Sequence, residues 1–499
     1  MRTLVCWFRR DLRVRDQTAL YHAARDAEQV IPLFIVDPAL MAAPHGGGPR
    51  VAFLLDSLRA LDENLRRLGG YLLVRQGDPR EVLLGVLRES GADGVYVNRD
   101  YVEPGLTRDR RVRAAVESEG YLYQDFKDIV VVEPGELLTG GGTPYTVYTP
   151  YWRAWTARPA PPVLPAPAGV LVTPLLDDIV IPTPEDVGWT VDIDVAKGGE
   201  DEARRILDRF TDGARAPIQD YATARNVPGE PGTSRLAPHI RFGTISPRTA
   251  LAATRAVTQD GVRPGPRAGG AGGGSGGGKA GDAAARKGPV TWAGELAWRD
   301  FYFTWMHNNP RVETHAYDVR YENLPFEDDP DLFAAWRHGQ TGFPLIDAGM
   351  RQLNKEGWMH NRLRMTTASF LCKDLLVDWR MGADYFWERL TCGDKPANVG
   401  GWQWSASVGT DAQPYFRVFN PVTQGERYDP TGTYVRRYVP ELAAVPDKYV
   451  QSPWTMPASE AARIGFTLGQ TYPAPVVDHA ERRQRAIAMF ERLRGKGTP

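Results

Sequence analysis

Residues 3–8 read TLVCWF, and three more short apolar runs follow: VIPLFIVD at 30–37, YLLVRQG at 71–77 and GVYVNRD at 94–100. A short apolar run of this kind is the pattern of a strand buried on both faces. Between the second and third runs, Val51, Leu54, Leu55, Leu58, Leu61, Leu65 and Leu68 recur at spacings of three and four, which is one apolar face of a helix. The next helix carries its own start signal, with Asp78 as N-cap, Pro79 at N1 and Glu81 completing a capping box; Gly91 closes its other end. Strand alternating with helix predicts a doubly wound parallel sheet, whose ligands bind at the carboxyl ends of its strands. Neither GxGxxG nor GxxxxGKS/T follows any of these runs, so an ordinary dinucleotide or phosphate loop is not expected.

Beyond residue 130 the pattern changes. The stretch RPAPPVLPAPAG at 158–169 is too rich in proline for a helix and reads as an extended connector. From about residue 200 the periodicity is helical almost to the end, broken by a Gly-rich run that has no apolar residues to offset its ordering entropy. The expected organisation is α/β plus all-α: an α/β domain at 1–130, a linker at 131–199, and a helical domain at 200–490 with a disordered Gly-rich insertion at about 263–289.

The 499 residues, 42% of them hydrophobic, suffice for two or three cored domains. A net charge of -1 excludes a bulk electrostatic appetite for nucleic acid, so any such site must be a local patch. Cys6, Cys372 and Cys392 form no disulfide framework or metal motif, which suits a reducing cytoplasm. Arg9 and Arg10 end the first apolar run, so no signal peptide is expected, and no run approaches membrane length. The outlier is aromatic: 14 tryptophans and 20 tyrosines, the tryptophans concentrated after residue 290.

Four stretches of the helical part can carry chemistry. In GTSRLAPHIRFG, Thr233 and Ser234 are candidate helix caps, and a free helix start with hydroxyls is a natural phosphate seat. In WAGELAWRDFYFTW, Glu295, Trp298, Arg299 and Tyr302 fall at helical spacing; Glu295 and Arg299, at i and i+4, would otherwise be a surface ion pair. GWMHNRLRM places Asn361, Arg364 and Met365 near one face, with Arg362 turned away and His360 read as structural. CGDKPANVGGWQW supplies Asp394 and Asn398 before Trp402 and Trp404, in a segment with no helical or strand period, where a tryptophan pair is by default core filling. These stretches hold aromatic platforms, amides, arginines and hydroxyls, but no nucleophile–base triad and no metal cluster. A bound π-system that handles electrons suits them better than hydrolysis.

At these residues the chain resembles the photolyase/cryptochrome family, from WFRRDLRVRDQTAL through TSRLAPHIRFG, TGFPLIDAGMRQL, GWMHNRLRM and GGWQWSAS to YFRVFNPVTQGERYDPTGTYVRRYVPEL. The resemblance implies an antenna-binding α/β domain and a helical domain holding FAD. It implies that blue light excites reduced flavin, which donates an electron to a pyrimidine dimer flipped out of ultraviolet-damaged DNA. Residue by residue, it places Tyr221, Thr233, Ser234, Arg235 and Leu236 at the flavin phosphate and ribitol, with Trp292 also on the cofactor. Arg299 and Arg364 lie against the flavin, Asp394, preceded by Cys392 and Gly393, at its N3 edge, and Asn398 at N5. Glu295 and Asn361 serve both cofactor and lesion. Trp298, Met365 and Trp404 line the lesion pocket, and Arg362 and Arg417 meet DNA. Trp402 and Trp379 match the first two members of the electron-transfer chain.

Two departures stand out. The family commonly has Asp where Cys392 stands, so Arg364 loses its carboxylate partner, which favours anionic reduced flavin. The third tryptophan of the electron chain falls at Phe326, which is not readily oxidised; Trp336 matches a different family tryptophan. Asn361 with Met365, and His360 in place of a histidine pair, favour a cyclobutane dimer over the six-four photoproduct. The antenna is expected to be an 8-hydroxy-deazaflavin, with folate or FMN as alternatives, at Arg50, Asp100 and Arg241. The competing readings are a cryptochrome that signals without repair and a flavin electron-transfer protein without a DNA role. The chain is expected to be a cytoplasmic monomer that binds neither membrane nor metal.

Overall fold

The computed structural model describes residues 2–42, 47–167, 176, 179–213, 216–258 and 287–494. The chain divides into two compact units, 1–222 with 233–310, and 223–232 with 311–499.

In the first unit β1 (Thr3–Phe8), β2 (Gln29–Val36), β3 (Leu73–Gln76), β4 (Gly94–Asn98) and β5 (Leu122–Phe126) form one parallel sheet in the order β3-β2-β1-β4-β5. The alternation of side chains along β1 feeds two cores. Leu4, Cys6 and Phe8 pack with Leu54, Leu58 and Leu61 of the Gly48–Arg67 helix, while Val5 and Trp7 pack with Leu83, Leu87 and Val112. Each such buried apolar side chain contributes roughly 1.5–3 kcal/mol, which is why β1 is apolar from Leu4 to Phe8. The Pro79–Ser90 helix has the N-cap and the C-terminal glycine its sequence predicts: Asp78 accepts from the amides of Arg80 and Glu81, and Gly91 ends it in the left-handed region; the Glu81 carboxylate, expected to close a capping box, instead accepts from Arg80. The strand order reverses between β1 and β4, the crevice position of doubly wound folds.

A charge cluster closed off from solvent joins the segments that follow β1 and β5 to the Pro247–Val257 helix. Arg13 and Arg248 both bond Asp128, at 2.7 and 2.8 Å, and Arg248 also reaches Asp16 at 3.2 Å. Burial alone would raise the Asp128 pKa, but the two guanidiniums overcome it and hold it at about 2. Gly243 closes the adjoining Ala237–Phe242 helix at φ +64; a Cβ there would stand 2.1 Å from the Arg10 carbonyl oxygen.

The structure adds to the sequence reading at three places. The linker expected at 131–199 carries a helix, Tyr148–Ala157, whose Tyr151 and Trp155 are buried, ahead of the proline-rich connector. The insertion read at 263–289 overlaps the start of the Lys287–Asn308 helix, and the rest of it lies outside the described residues. β5 had no apolar run to announce it: it is an edge strand that buries only Tyr123.

The second unit is helical, with Pro330–His338, Pro344–Glu356, Asn361–Lys373, Trp379–Arg389 and Lys395–Ala406 as its longer elements before the C-terminal helix His479–Arg494. Its interior is aromatic: Trp336, Phe343, Phe370, Trp379, Phe386 and Trp402 are all buried. Among the described residues no helix is long and apolar enough to cross a membrane.

Candidate functional site

In the first unit the Lys287–Asn308 helix carries Trp292, Glu295, Trp298 and Arg299. A glycine at its start lets it touch backbone, since a Cβ on Gly288 would lie 2.1 Å from the Ile218 carbonyl oxygen of the helix that holds Tyr221. Tyr221 and Trp292 flank the same ring, Phe210, at 5.9 and 5.4 Å, and both are buried with Leu236 in one apolar cluster. Glu295 and Trp298, one turn apart, are partly exposed. Trp298 has a backing that sequence reading missed: Tyr148 stacks on it at 3.6 Å and 8°, and the Tyr148 hydroxyl donates to the Gly294 carbonyl at 2.7 Å. The VYTPYW pattern contained the signal, aromatics at helical spacing, but no partner for them. Arg299 donates to the Ile129 carbonyl at 2.5 Å and lies over Phe303.

The helix itself is anchored by its next residue. Asp300 accepts from the amides of Val131 and Val132 and from the Trp155 indole, at 3.1, 2.9 and 3.0 Å. Its pKa is pushed up to about 6, because burial outweighs these bonds and the Arg299 charge.

Thr233 and Ser234 do not cap a helix in the way their residue types suggest. The Ala237–Phe242 helix begins after Leu236 with no side-chain cap, and Ser234 accepts only a long bond, 3.4 Å, from the Leu236 amide. Arg235 sits between them at φ +57, so the chain turns here before the helix can start. Of the antenna candidates, Arg50 is buried and Arg241 lies over Phe242 at 5.3 Å. Asp100 pairs with Arg10 at 3.5 Å and Arg108 at 3.9 Å, and these cations lower its pKa against the opposing effect of burial.

In the second unit His360 is structural, as read: it is buried and its Nδ1 accepts from the Arg362 amide, capping the Asn361–Lys373 helix. Asn361 and Met365 stand side by side on the next turn, amide nitrogen to sulfur 3.9 Å, with Asn361 exposed. Arg362 leaves by another face to bond Asn226 and lie 4.5 Å over Tyr428, which also faces Arg427. Burial, with Arg225 and Arg427 nearby, lowers its pKa despite Tyr428.

Arg364 donates to the Met359 carbonyl at 2.8 Å and to Cys392 Sγ at 3.2 Å. The carboxylate is gone, yet the partner is not: sulfur occupies its place, and no ion pair involves Arg364 among the described residues. Asp394 is buried at the start of the Lys395–Ala406 helix, and Asn398 donates to the Ala383 carbonyl at 2.9 Å.

That helix corrects the reading of 400–404 as aperiodic. Two glycines and apolar residues on every side erase the periodicity, but tertiary packing supplies what propensity lacks. Gln403 is completely buried and donates to the Val312 and His315 carbonyls at 2.8 and 2.9 Å. Trp402 points inward, against Gly382, while Trp404 is partly exposed. Trp379 is buried beneath the Arg380 guanidinium, 4.9 Å from its ring. Arg417 is exposed, and its carbonyl is clamped by Lys373 Nζ at 3.2 Å and Gln413 at 2.6 Å.

Two family models match this arrangement, one described as DNA photolyase over residues 4–168 and one as the FAD binding domain of DNA photolyase over residues 292–492. The chain belongs to the DNA photolyase family. A deoxyribodipyrimidine photo-lyase of Halobacterium salinarum is 42% identical, over 98% of this chain and 99% of that protein. Among solved structures, a class III photolyase from Agrobacterium tumefaciens has a TM-score of 0.88 at 33% identity, covering 99% of this chain and 98% of that one. An archaeal photolyase from Sulfolobus tokodaii with two FAD molecules gives 0.78 at 30%, covering 98% and 100%. A Synechocystis cryptochrome gives 0.86 at 28%, covering 98% and 99%.

Proposed function

We propose that this protein is a light-driven enzyme that splits cyclobutane pyrimidine dimers in ultraviolet-damaged DNA, with FAD as its redox cofactor. The observation that carries the reading is the likeness along nearly the whole chain to deoxyribodipyrimidine photo-lyase. When bound, reduced FAD would supply, under blue light, the electron that opens the dimer.

The residues fit such a cofactor. Arg364, with a thiol and a carbonyl for partners, keeps its charge for an anionic group, and the buried Thr391 hydroxyl beside Cys392 has no partner among the described residues. The remaining proposed contacts are Tyr221, Thr233 to Leu236, Trp292, Arg299, Gly393, Asp394 and Asn398. Glu295 accepts a hydrogen bond from the base edge, and in a pocket emptied of water one such bond is strong. Trp298, stiffened from behind by Tyr148, and Trp404 pack the flipped bases; stacking tolerates any sequence context. Asn361 and Met365 face the lesion, and Arg362 and Arg417 meet the phosphates.

We propose an 8-hydroxy-deazaflavin as antenna, with folate or FMN as alternatives, and a monomer as the working form. Extraction of the cofactors and their absorption spectra test both chromophores; a preparation without FAD overturns the reading. A photoreceptor without repair, which the cryptochrome likeness keeps in view, is separated by comparing dimer content after light and dark incubation.

A further inference from the structure

We infer that Tyr385 is the terminal electron donor that refills Trp402, by way of Trp336, when light reduces the oxidised cofactor. The inference rests on the reading of Trp402 as the residue beside FAD.

Three observations in the second unit carry it. Ring contact from Trp402 leads to Trp336, at 6.0 Å and 71°, and from Trp336 to Tyr385, at 5.9 Å and 62°. Electron tunnelling falls off exponentially with distance, so a ring-to-ring path outruns one with a gap. No aromatic ring stands against Trp379 among the described residues. Its nearest π-contact is the Arg380 guanidinium, a cation that opposes a positive hole on the indole. Phe326, where a further tryptophan of this family would stand, offers no oxidisable group.

The environment of Tyr385 suits the end of a path. Trp336 is completely buried, with its indole N–H fixed to the Thr367 carbonyl at 3.0 Å, so it can pass a hole but not lose its proton to solvent. Tyr385 is partly exposed, and its hydroxyl donates to Asn354 at 2.6 Å. Arg337 lies 5.5 Å over the ring. That cation would oppose a charged radical but not a neutral one, so oxidation here is coupled to loss of the phenolic proton.

The balance is one electron and one proton. Light-excited FAD takes one electron from Trp402; the Trp402 cation takes one from Trp336, and the Trp336 cation takes one from Tyr385. The phenolic O–H bond breaks, its proton goes to water, and a neutral tyrosyl radical remains. A thiol reductant in solution then returns a hydrogen atom to the oxygen; its S–H bond breaks, and the resulting thiyl radicals pair to a disulfide.

The test is transient absorption of the full-length FAD-loaded protein after a blue flash, with steady-state photoreduction in dithiothreitol. Wild type should develop the narrow violet band of a neutral tyrosyl radical, formed more slowly in D2O. Tyr385→Phe should abolish the band and lower the photoreduction yield severalfold, and Trp336→Phe should do the same. FAD content in the dark, equal to wild type, shows that both variants fold. A wild-type signal with tryptophan character only, or a Tyr385→Phe yield equal to wild type, overturns the inference. Trp402→Phe separates the two claims: undiminished photoreduction in that variant overturns the placement of Trp402 itself.

Discussion

Asp300→Asn should change stability in a way that depends on pH. The carboxyl is closed off from solvent; Oδ2 takes three hydrogen bonds and Oδ1 has no partner among the described residues. Its folded pKa, about 6, lies above the roughly 3.9 of an exposed aspartate. The folded state therefore favours the protonated form. This contribution is fully present below the unfolded pKa and is lost as pH rises through about 6. Ionising a carboxyl whose pKa has been raised this far costs the fold about 3 kcal/mol at pH 8, of which about 1.5 kcal/mol has already accrued at pH 5. Asparagine keeps an oxygen for the three donors and stays neutral, at a fixed cost of about 1–3 kcal/mol for its own buried amide hydrogens. The fixed cost cancels when two pH values are compared. Urea unfolding of both proteins should thus show the variant gaining about 1.5 kcal/mol on wild type between pH 5 and pH 8. FAD content should hold, since the anchor of the Glu295–Trp298 turn keeps its oxygen. A difference that stays constant with pH, or shrinks, would refute the reasoning.

Three further outcomes follow from the site. Glu295→Ala should lower the yield of dimer splitting more than DNA binding, measured by flash yield and by titration; equal large losses contradict the assigned role. Arg362→Ala should reduce the slope of log affinity against log salt for damaged duplex by roughly 0.9, and an unchanged slope means this side chain meets no phosphate. Gly382→Ala puts a Cβ 2.1 Å from Trp402 Cη2, a ring already held by Phe386 and Trp336. It should cost about 1–3 kcal/mol in urea unfolding and lower FAD retention; a neutral variant would show that Trp402 is loosely packed.

Where the chemistry of an element lies within its own residues, it was legible. β1 to β4 and the Leu54–Leu65 face announce themselves because burial on both faces, or on one stripe, leaves a periodic trace. The Lys395–Ala406 helix leaves none, for Gly400, Gly401 and the inward Gln403 make helical sense only once Val312 and His315 are in place. The Arg13–Asp128–Arg248 cluster, the Asp300 anchor and the Tyr148 backing of Trp298 join residues more than a hundred positions apart, and no local pattern encodes them. Asn361 and Met365 share a helix face and His360 is a structural cap, as their spacing and type suggest, while Ser234 shows the limit of residue-type reasoning: a good capping residue followed by Arg235 at positive φ has no helix to cap.

Repair itself is the most direct test. Chemically reduced protein is mixed with ultraviolet-irradiated oligo-dT and held under blue light or in the dark, and the base absorbance lost on dimerisation is followed. The account predicts that absorbance returns under blue light, in amounts beyond one turnover per protein, and stays constant in the dark. No return under light, from protein that holds its full complement of reduced FAD, would contradict it.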